Sequence, residues 1–378
     1  MKTIKFTVLV SLSFILFACN VKKEKEKSVS QFQVELLSSP TVAKLSDIVK
    51  NTLVLLPTSD SLLINEINRI HSSTNHIYVS DVSSVYQFTR DGEFVKKLNK
   101  QGEGPNEYLN ISDFFVDKGD NIWILSRTAK KLYQYSADNE LLKSISLDVW
   151  AQNISPLGND ILLYTGNETN SANMQLHLLD IATGTIKKSY KAIKEKQAEY
   201  LHVKGNNVFR KISDKECCFS QLFNDTIYNV ASDSISVAHT FDWDGHNIPE
   251  SFYDKGFSNI MEFFQEFHSN GQYAYGINFF SETDDEYWVS YYFQRQCFCS
   301  ILSKKDGTQT IFTDFLIDNL DDYPIKLSDV STFVQNDGTI IIPVDAMNVK
   351  EYLKERHVDS QRIPDDSNPY LLILDLKG

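Results

Sequence analysis

The chain contains 378 residues, with 37 Lys and Arg residues, 50 Asp and Glu residues and a formal net charge of −13 at pH 7. Such an acidic chain is a poor nucleic-acid binder, because phosphate contacts need a basic surface, so we expect no nucleic-acid partner. The length exceeds that of most single domains, and closed repeat architectures are the common exception.

Residues 1–18 have the pattern of a secretory signal peptide. Lys2 and Lys5 precede an apolar run from Phe6 to Phe17, and Ala18 supplies the small residue expected before a cleavage site. The run of about 12 residues is too short to span a membrane, for which roughly 20 are needed. Cleavage removes two lysines, which leaves 35 basic and 50 acidic residues and a net charge of −15.

Cys19 follows the cleavage site directly, and this arrangement resembles the lipobox of bacterial lipoproteins. In that motif the thiol is diacylated and the cysteine becomes the first residue of the mature protein. The resemblance implies lipidation of Cys19 and attachment to outer-membrane lipid, on either the periplasmic or the outer face of a Gram-negative cell envelope. The alternative is a plain signal peptide followed by an incidental cysteine.

Residues 19–42 are predicted to form a flexible tether that leads to a folded unit over residues 43–378. The stretch from Asn20 to Ser30 is polar and rich in lysine, so it has almost no apolar surface to bury.

A hairpin repeats along the first half of the folded unit. The segment Val85–Leu98 matches Leu132–Ile145 at an offset of 47 residues, and a third copy, Leu178–Lys188, follows about 46 residues later. Turn residues such as Asp91 and Gly92 supply the positive φ that short hairpins require. With two strands upstream, each repeat has four antiparallel strands, which is typical of a propeller blade.

The repeat predicts an all-β fold, a six-bladed β-propeller of four-stranded antiparallel blades, with five or seven blades as alternatives. The later blades are noisier, and in blade four the segment from Phe219 to Phe223 is predicted as the second strand. An apolar segment from Thr52 to Leu56 precedes the first blade. We predict that it completes the last blade as its outer strand, because closure hides the edges that an open sheet exposes.

Two insertions interrupt the later blades. Residues 249–270 contain an apolar stripe at helical spacing, from Ile260 to Phe267, which predicts a helix packed on its own scaffold or, alternatively, a partner-binding face. Residues 346–368 are charged and predict a short exposed helix over Val349 to Arg356.

Four cysteines of the folded unit, Cys217, Cys218, Cys297 and Cys299, are predicted to be buried structural thiols. Adjacent strand residues point to opposite faces, and the spacing typical of zinc sites is absent. A disulfide in an oxidising periplasm is the alternative.

From Tyr86 to Leu147 the chain resembles NHL-type propellers and, more closely, the six-bladed propeller lipoproteins of Bacteroidetes. The resemblance depends on the strand at Ile77–Asp81, the hairpin at Asp91 and the glycine-rich stretch Gln101–Tyr108. In that family the glycine-rich stretch links one blade to the next. The resemblance therefore implies a structural linker formed by Gly102, Gly104, Pro105, Glu107 and Tyr108, and it implies no particular activity.

Loops that join the second and third strands form the ligand-facing rim in NHL-type propellers. The resemblance places Asp81, Ser126 and Arg127 on such loops and makes them candidate binding residues. A turn-capping role is the alternative for Asp81.

Metal-dependent hydrolases and lactonases also occur on six-bladed propellers, with carboxylate, Asn or His ligands in the central channel. Candidates near the ends of innermost strands are His71, His76, Asp113, Asp160, Asn206 and Asn336. Solvated loop positions are the alternative for all of them. The sequence favours a non-enzymatic binding or scaffolding module without a cofactor, whose unidentified glycan, peptide or protein ligand meets the rim or the funnel. A hydrolase or lactonase is the second hypothesis.

Overall fold

Six antiparallel sheets, each built on four strands, form a β-propeller in the computed structural model, which describes residues 30–36, 40–59, 61–361 and 363–376. The first strand of each sheet lies next to the channel, and most neighbouring inner strands contact one another. The predicted fold class is confirmed.

Three strands precede the first complete blade, and three blades follow without a helix. The first three strands are β1 (Ser30–Gln33), β2 (Thr41–Lys44) and β3 (Lys50–Leu55). Blade one contains β4 (Arg69–Ser72), β5 (His76–Ser80), β6 (Val85–Thr89) and β7 (Phe94–Leu98). Blade two contains β8 (Asp113–Val116), β9 (Ile122–Ser126), β10 (Lys131–Tyr135) and β11 (Leu141–Ser146). Blade three contains β12 (Asn153–Leu157), β13 (Asp160–Tyr164), β14 (Met174–Asp180) and β15 (Ile186–Ala192).

The later blades carry the helices. After α1 (Glu195–Tyr200), blade four contains β16 (Phe209–Lys211), β17 (Glu216–Phe219), β18 (Thr226–Ala231) and β19 (Ile235–Asp242). After α2 (Glu250–Tyr253) and α3 (Ile260–Asn270), blade five contains β20 (Tyr275–Glu282), β21 (Glu286–Phe293), β22 (Gln296–Ser303) and β23 (Gln309–Ile317), with β24 (Tyr323–Lys326) added. Blade six contains β25 (Phe333–Val334), β26 (Ile340–Val344) and, after α4 (Ala346–Glu355), β27 (Tyr370–Asp375).

The position of a strand within its blade explains its residue pattern. All five residues of β9 are buried, because this central strand packs against the neighbouring blade on each face. The outermost strand β11 instead alternates between more and less exposed side chains over most of its length.

The ring is closed by pairing between the two ends of the described chain. Strand β3 lies antiparallel to β27, with Leu55 opposite Tyr370 and Lys50 opposite Asp375. This pairing confirms the prediction that the segment before the first blade supplies the outer strand of the last one.

The expected tether over residues 19–42 is wrong for its later part. Strand β1 pairs in parallel with β19 and β2 pairs in parallel with β23, so these segments extend the outer edges of blades four and five. The pairing satisfies edge groups that would otherwise lie open, and Val34 and Leu36 are buried beside Phe241. Cys19 and the signal peptide lie outside the described residues.

Polar side chains join neighbouring blades around the channel. Each of the six blade boundaries has a hydrogen bond between a side chain of an inner strand, or of its flanking residues, and the backbone of the adjacent blade; Asp113 accepts its bond, and the other side chains donate. The bonds join Asn68 to Ile111, Asp113 to Ile154, Asn153 to Gly205, Asn207 to Asn278, Ser281 to Gly338 and Gln335 to Ile70. They satisfy backbone groups in the inner strands and in the segments next to them.

Blade four departs from the predicted strand positions. Its second strand ends at Phe219, whereas we expected a strand from Phe219 to Phe223. Phe223 has a positive φ of 58°, which ends the extended backbone, and its ring packs on Phe263 and Phe267 of α3. The helical insertion is thus anchored to its own scaffold by a buried aromatic cluster.

The four cysteines of the folded unit are buried, unpaired thiols. Cys217 and Cys218 lie in different hydrophobic clusters, because their side chains point to opposite faces of β17. Burial raises the pKa of Cys217 to about 12 and that of Cys297 to about 11, so these thiols are protonated at neutral pH.

Ring closure can be tested at Val54, which is buried in β3 and packs against the hairpin of blade one near Gly92. Val54→Asp places a carboxylate in this apolar contact and should lower the free energy of unfolding by more than about 3 kcal/mol. Urea denaturation measures the effect. Thr52→Asp, at an exposed position two residues earlier in the same strand, is the matched control and should cost less than about 1 kcal/mol. Equal effects of the two substitutions would contradict closure by β3.

Candidate functional site

A cavity of about 650 Å³ opens at the end of the channel where the innermost strands begin. It is lined by the residues that lead into five of the six blades and by three loops between second and third strands. We call this cavity the funnel, and its lining includes Asn68, Asn110, Ser112, Arg127, Gln152, Glu168, His202, Lys204, Asn206 and Ser331. The four α-helices of the described residues lie in connections on this same face, because each either leads into an innermost strand or joins a second strand to a third.

Arg127 lies on the rim of the funnel, at the start of the turn between β9 and β10. Its guanidinium Nη2 donates to Glu168 Oε1 at 2.6 Å, while its Nε is buried without a hydrogen-bond partner. The guanidinium carbon also lies 5.4 Å from the ring centroid of the partly exposed Trp150. The side chain is thus held in place, yet it keeps unused N–H donors among the described residues.

Lys204 reaches into the funnel from the linker between blades three and four. Its Nζ donates to the Ser112 carbonyl at 2.7 Å and to Asn68 Oδ1 at 3.4 Å. Burial lowers the pKa of Lys204; Asp113 acts in the opposite direction, and Arg69 and Arg127 lower it further. The ammonium therefore lies in a partly desolvated place with cations nearby.

Arg69 lies behind the funnel wall at the start of β4. Its guanidinium donates to the carbonyl of Asn206, and its Nε lies 3.5 Å from Asp113 Oδ1 without forming a hydrogen bond. The Asp113 carboxylate already accepts the backbone N–H groups of Phe114 and Ile154 at 3.0 and 2.9 Å. Arg69 and Asp113 therefore form a largely buried ion pair behind the funnel wall.

The three candidate rim residues occupy different environments. Arg127 lines the funnel, whereas Asp81 and Ser126 are fully buried. Ser126 donates to the side-chain oxygen of Asn110 at 3.0 Å and thereby holds a funnel-lining residue.

Asp81 fixes the turn between β5 and β6. Its Oδ1 accepts the backbone N–H groups of Ser83 and Ser84 at 2.8 and 2.7 Å, and its Oδ2 accepts the Tyr86 hydroxyl at 3.1 Å. Burial by itself raises the pKa of Asp81, but the hydrogen bonds from Ser83, Ser84 and Tyr86 outweigh it and hold the pKa below its ordinary value. This geometry is that of a turn cap.

The glycine-rich stretch forms a compact turn between blades one and two. The Gly104 N–H donates to Glu107 Oε2 at 2.8 Å, and a Cβ at Gly102 would lie only 1.9 Å from that oxygen. Tyr108 is fully buried and donates to the Ser83 carbonyl at 2.8 Å. Pro105 lies within this turn.

The channel candidates for a metal site lie at both ends of the channel. Asp113 and Asn206 are near the funnel, whereas His71, His76, Asp160 and Asn336 are on the side of the turns between first and second strands. Burial and Arg69 lower the pKa of His71 to about 4, and Asp160 pairs with Lys187 at 2.8 Å. Among the described residues, no group of three or more His, Cys, Asp or Glu side chains is arranged to hold a metal.

A second cavity of about 380 Å³ lies between blades three and four, beside the helical insertion. Its amide side chains bond to one another: Gln221 donates to Tyr164 and Gln175 at 3.0 and 3.1 Å, and Gln175 donates to Asn167 at 2.6 Å. Because these polar groups already have partners, the funnel is the stronger candidate site.

Our sequence analysis did not single out Arg69 and Lys204. Both lie at or before the start of an innermost strand, outside the hairpin that repeats. The sequence nonetheless contains a pattern that could have indicated these positions. Polar residues precede the innermost strand in several blades, as Asn68, Ser112 and Asn207 do.

A family model matches residues 29–375, which is most of the chain. The chain belongs to a family described as a domain of unknown function, DUF4934. No curated protein matches it. None of the helices among the described residues combines the length and apolar character needed to cross a membrane.

Several solved structures are similar to this DUF4934 propeller. A candidate exported protein from Bacteroides fragilis NCTC 9343 has 21% identity and a TM-score of 0.73, with 93% of this chain and 100% of that chain covered. A DUF4221 family member from Bacteroides vulgatus ATCC 8482 has 9% identity and a TM-score of 0.50, with 86% and 96% covered. At these identities the likeness shows the fold alone.

Asp81 offers a test of whether a rim-loop carboxylate in this DUF4934 propeller stabilises the fold. Asp81→Asn keeps the shape but removes the charge, and at pH 7 it should lower the free energy of unfolding by about 1–3 kcal/mol. The folded-state pKa is depressed, so the stabilisation is present above the unfolded pKa of about 3.9 and is lost as pH falls through the folded value. Denaturation curves at several pH values should therefore converge for the two proteins below about pH 4. A constant difference at all pH values would contradict this role.

Proposed function

We propose that this chain is a lipid-anchored binding module of the bacterial cell envelope and that the funnel receives its ligand. The observation that carries the proposal is the convergence of polar side chains from the entries to five blades on one open cavity. A concave site with a few convergent polar groups is the usual form of a ligand site. A glycan, a peptide or another envelope protein could supply the group that enters.

The arrangement of charged groups favours binding over hydrolysis. A metal-dependent hydrolase or lactonase needs three or four carboxylate, Asn or His ligands around one point in the channel. The candidates are instead divided between the two ends, and Asp113 is engaged by two backbone N–H groups and lies beside Arg69. The hydrolase hypothesis thus has no observation in its favour among the described residues.

The direction of β1 supports an orientation of the funnel relative to the proposed anchor at Cys19. Strand β1 runs parallel to β19, which leads toward the funnel face. The chain therefore enters β1 from the side of the opposite face. Ten residues lie between Cys19 and Ser30, and an extended chain spans at most about 3.6 Å per residue. A propeller on this short tether would lie close to the membrane with its funnel facing away.

The anchor can be tested by Cys19→Ala in the full-length chain, produced in a Gram-negative host. The substitution removes the acylated thiol, so the protein should move from the membrane fraction to the soluble fraction and should no longer incorporate a palmitate analogue. Cys218→Ala, which removes a thiol of the folded unit instead, is the control and should leave labelling unchanged. Labelling that persists in Cys19→Ala would contradict the proposed anchor.

The binding site can be tested with the mature chain made soluble by Cys19→Ser and applied to glycan and peptide arrays. Any ligand captured by this protein should be lost or weakened at least about tenfold by Arg127→Ala, since a hydrogen bond to a charged group contributes roughly 1.5–3 kcal/mol. Arg90→Ala, in a turn on the opposite face, should retain binding. Capture that is insensitive to Arg127→Ala would place the site elsewhere and contradict the proposal.

A further inference from the structure

We infer that the funnel recognises an oxyanion, the carboxylate or phosphate group of its ligand, between Arg127 and Lys204. The inference rests on the proposed function and specifies the chemical class of ligand for the same site. It follows from the positions of three cationic side chains, their unused donors and the local balance of charge.

Two cations, Arg127 and Lys204, line the funnel, and a third, Arg69, lies behind its wall. Arg127 and Lys204 both meet Ser112: the Arg127 backbone N–H donates to Ser112 Oγ at 3.1 Å, and Lys204 Nζ donates to its carbonyl at 2.7 Å. Arg69 donates to the carbonyl of Asn206, two residues after Lys204. The Lys204 ammonium and the backbone of Arg127 thus meet at Ser112, and Arg69 and Arg127 are both close enough to Lys204 to lower its pKa.

The donors of these cations are only partly used. Arg127 and Arg69 each have a buried Nε without a hydrogen-bond partner. The ammonium of Lys204 has three N–H groups, and its two bonds go to neutral oxygens of Ser112 and Asn68. The buried Nε atoms have almost no accessible surface, so the donors that remain for an oxyanion in the funnel are the third N–H of Lys204 and the other Nη N–H groups of Arg127.

The inner charges of the funnel do not cancel. Arg69, Arg127 and Lys204 are near two carboxylates, Asp113 and Glu168, which leaves one positive charge in excess. Glu168 is engaged by Arg127 at 2.6 Å, and the two oxygens of Asp113 accept backbone N–H groups. No described carboxylate forms an ion pair with Lys204.

Two other titratable groups line the same cavity. Glu66 is exposed on the rim, where solvent screens its charge. The His202 ring lies 4.0 Å from Glu168 through Nδ1, and its Nε2 contacts the Ala198 carbonyl at 2.9 Å. Among the described residues, neither group forms an ion pair with Lys204, whose ammonium contacts only the neutral oxygens of Ser112 and Asn68.

The test uses the mature Cys19→Ser chain with two probes, inorganic phosphate and D-galacturonate, at a constant ionic strength set with sodium chloride. Either anion should raise the melting temperature in a concentration-dependent way, because a ligand that binds only the folded state stabilises it. The anion that binds with the higher fitted affinity identifies phosphate or carboxylate as the preferred group. Lys204→Gln should weaken the fitted affinity at least about tenfold.

Lys118→Gln is the matched control, since it makes the same change of charge at an exposed position on the opposite face, where Lys118 pairs with Asp214 at 2.6 Å. This variant should respond to both anions as the parent does. Absence of a shift with either anion, or an equal shift in Lys204→Gln, would overturn the oxyanion inference.

The array experiment keeps the two proposals distinguishable. A neutral ligand that depends on Arg127 but binds equally well to Lys204→Gln would leave the funnel as the site and overturn only the oxyanion inference. Ligands that bind equally well to Arg127→Ala would contradict both the funnel as the ligand site and the oxyanion inference.

Discussion

The antiparallel pairing of β3 with β27 is the constraint on which the rest of the molecule depends. Blade six has only three strands of its own, so the segment before blade one supplies the fourth. The same segment packs Val54 against the hairpin of blade one, in a cluster shared by the first and last blades. An open ring would leave the edge of β27 exposed and would separate the two ends of the channel wall.

Closure also explains how an acidic chain can hold a small cationic site. The linkers that lead into the blades meet at one end of the ring, so residues far apart in sequence, such as Arg69 and Asn206, are brought into contact. Backbone carbonyls accept the donors of these cations and keep them extended toward the cavity. The site therefore arises from the ring as a whole and from no single blade.

The sequence could predict what depends on local structure. Hairpins in the first three blades were identifiable because Gly92, Asn139 and Gly184 adopt positive φ values of 90°, 64° and 72° at tight turns. The closing strand was identifiable because one apolar segment remained unassigned before blade one. The later blades were harder to predict because β17 ends at Phe219 and Phe223 packs on the helical insertion, a contact between residues distant in sequence that no local pattern indicates.

Features that depend on distant partners were not predictable. The segments β1 and β2 are short and largely polar, and they form strands only because β19 and β23 offer open edges. Among the candidate site residues, Arg127 was identified through its loop position. Lys204 was not, because the linker before blade four has no repeat pattern and its neighbours in the funnel come from blades one and two.

Native-state hydrogen exchange of the backbone amides in β3 tests the closed ring most directly. In a closed ring the β3 amides that donate to β27 should exchange as slowly as those of β27 and of the central strands of blade one, since all of them would open only with the blades they join. The alternate amides on the outer edge of β3 have no strand partner and do not enter the comparison. Exchange of the β3 amides that is orders of magnitude faster than that of β27, with the remaining blades still protected, would show that the ring is not closed by this pairing.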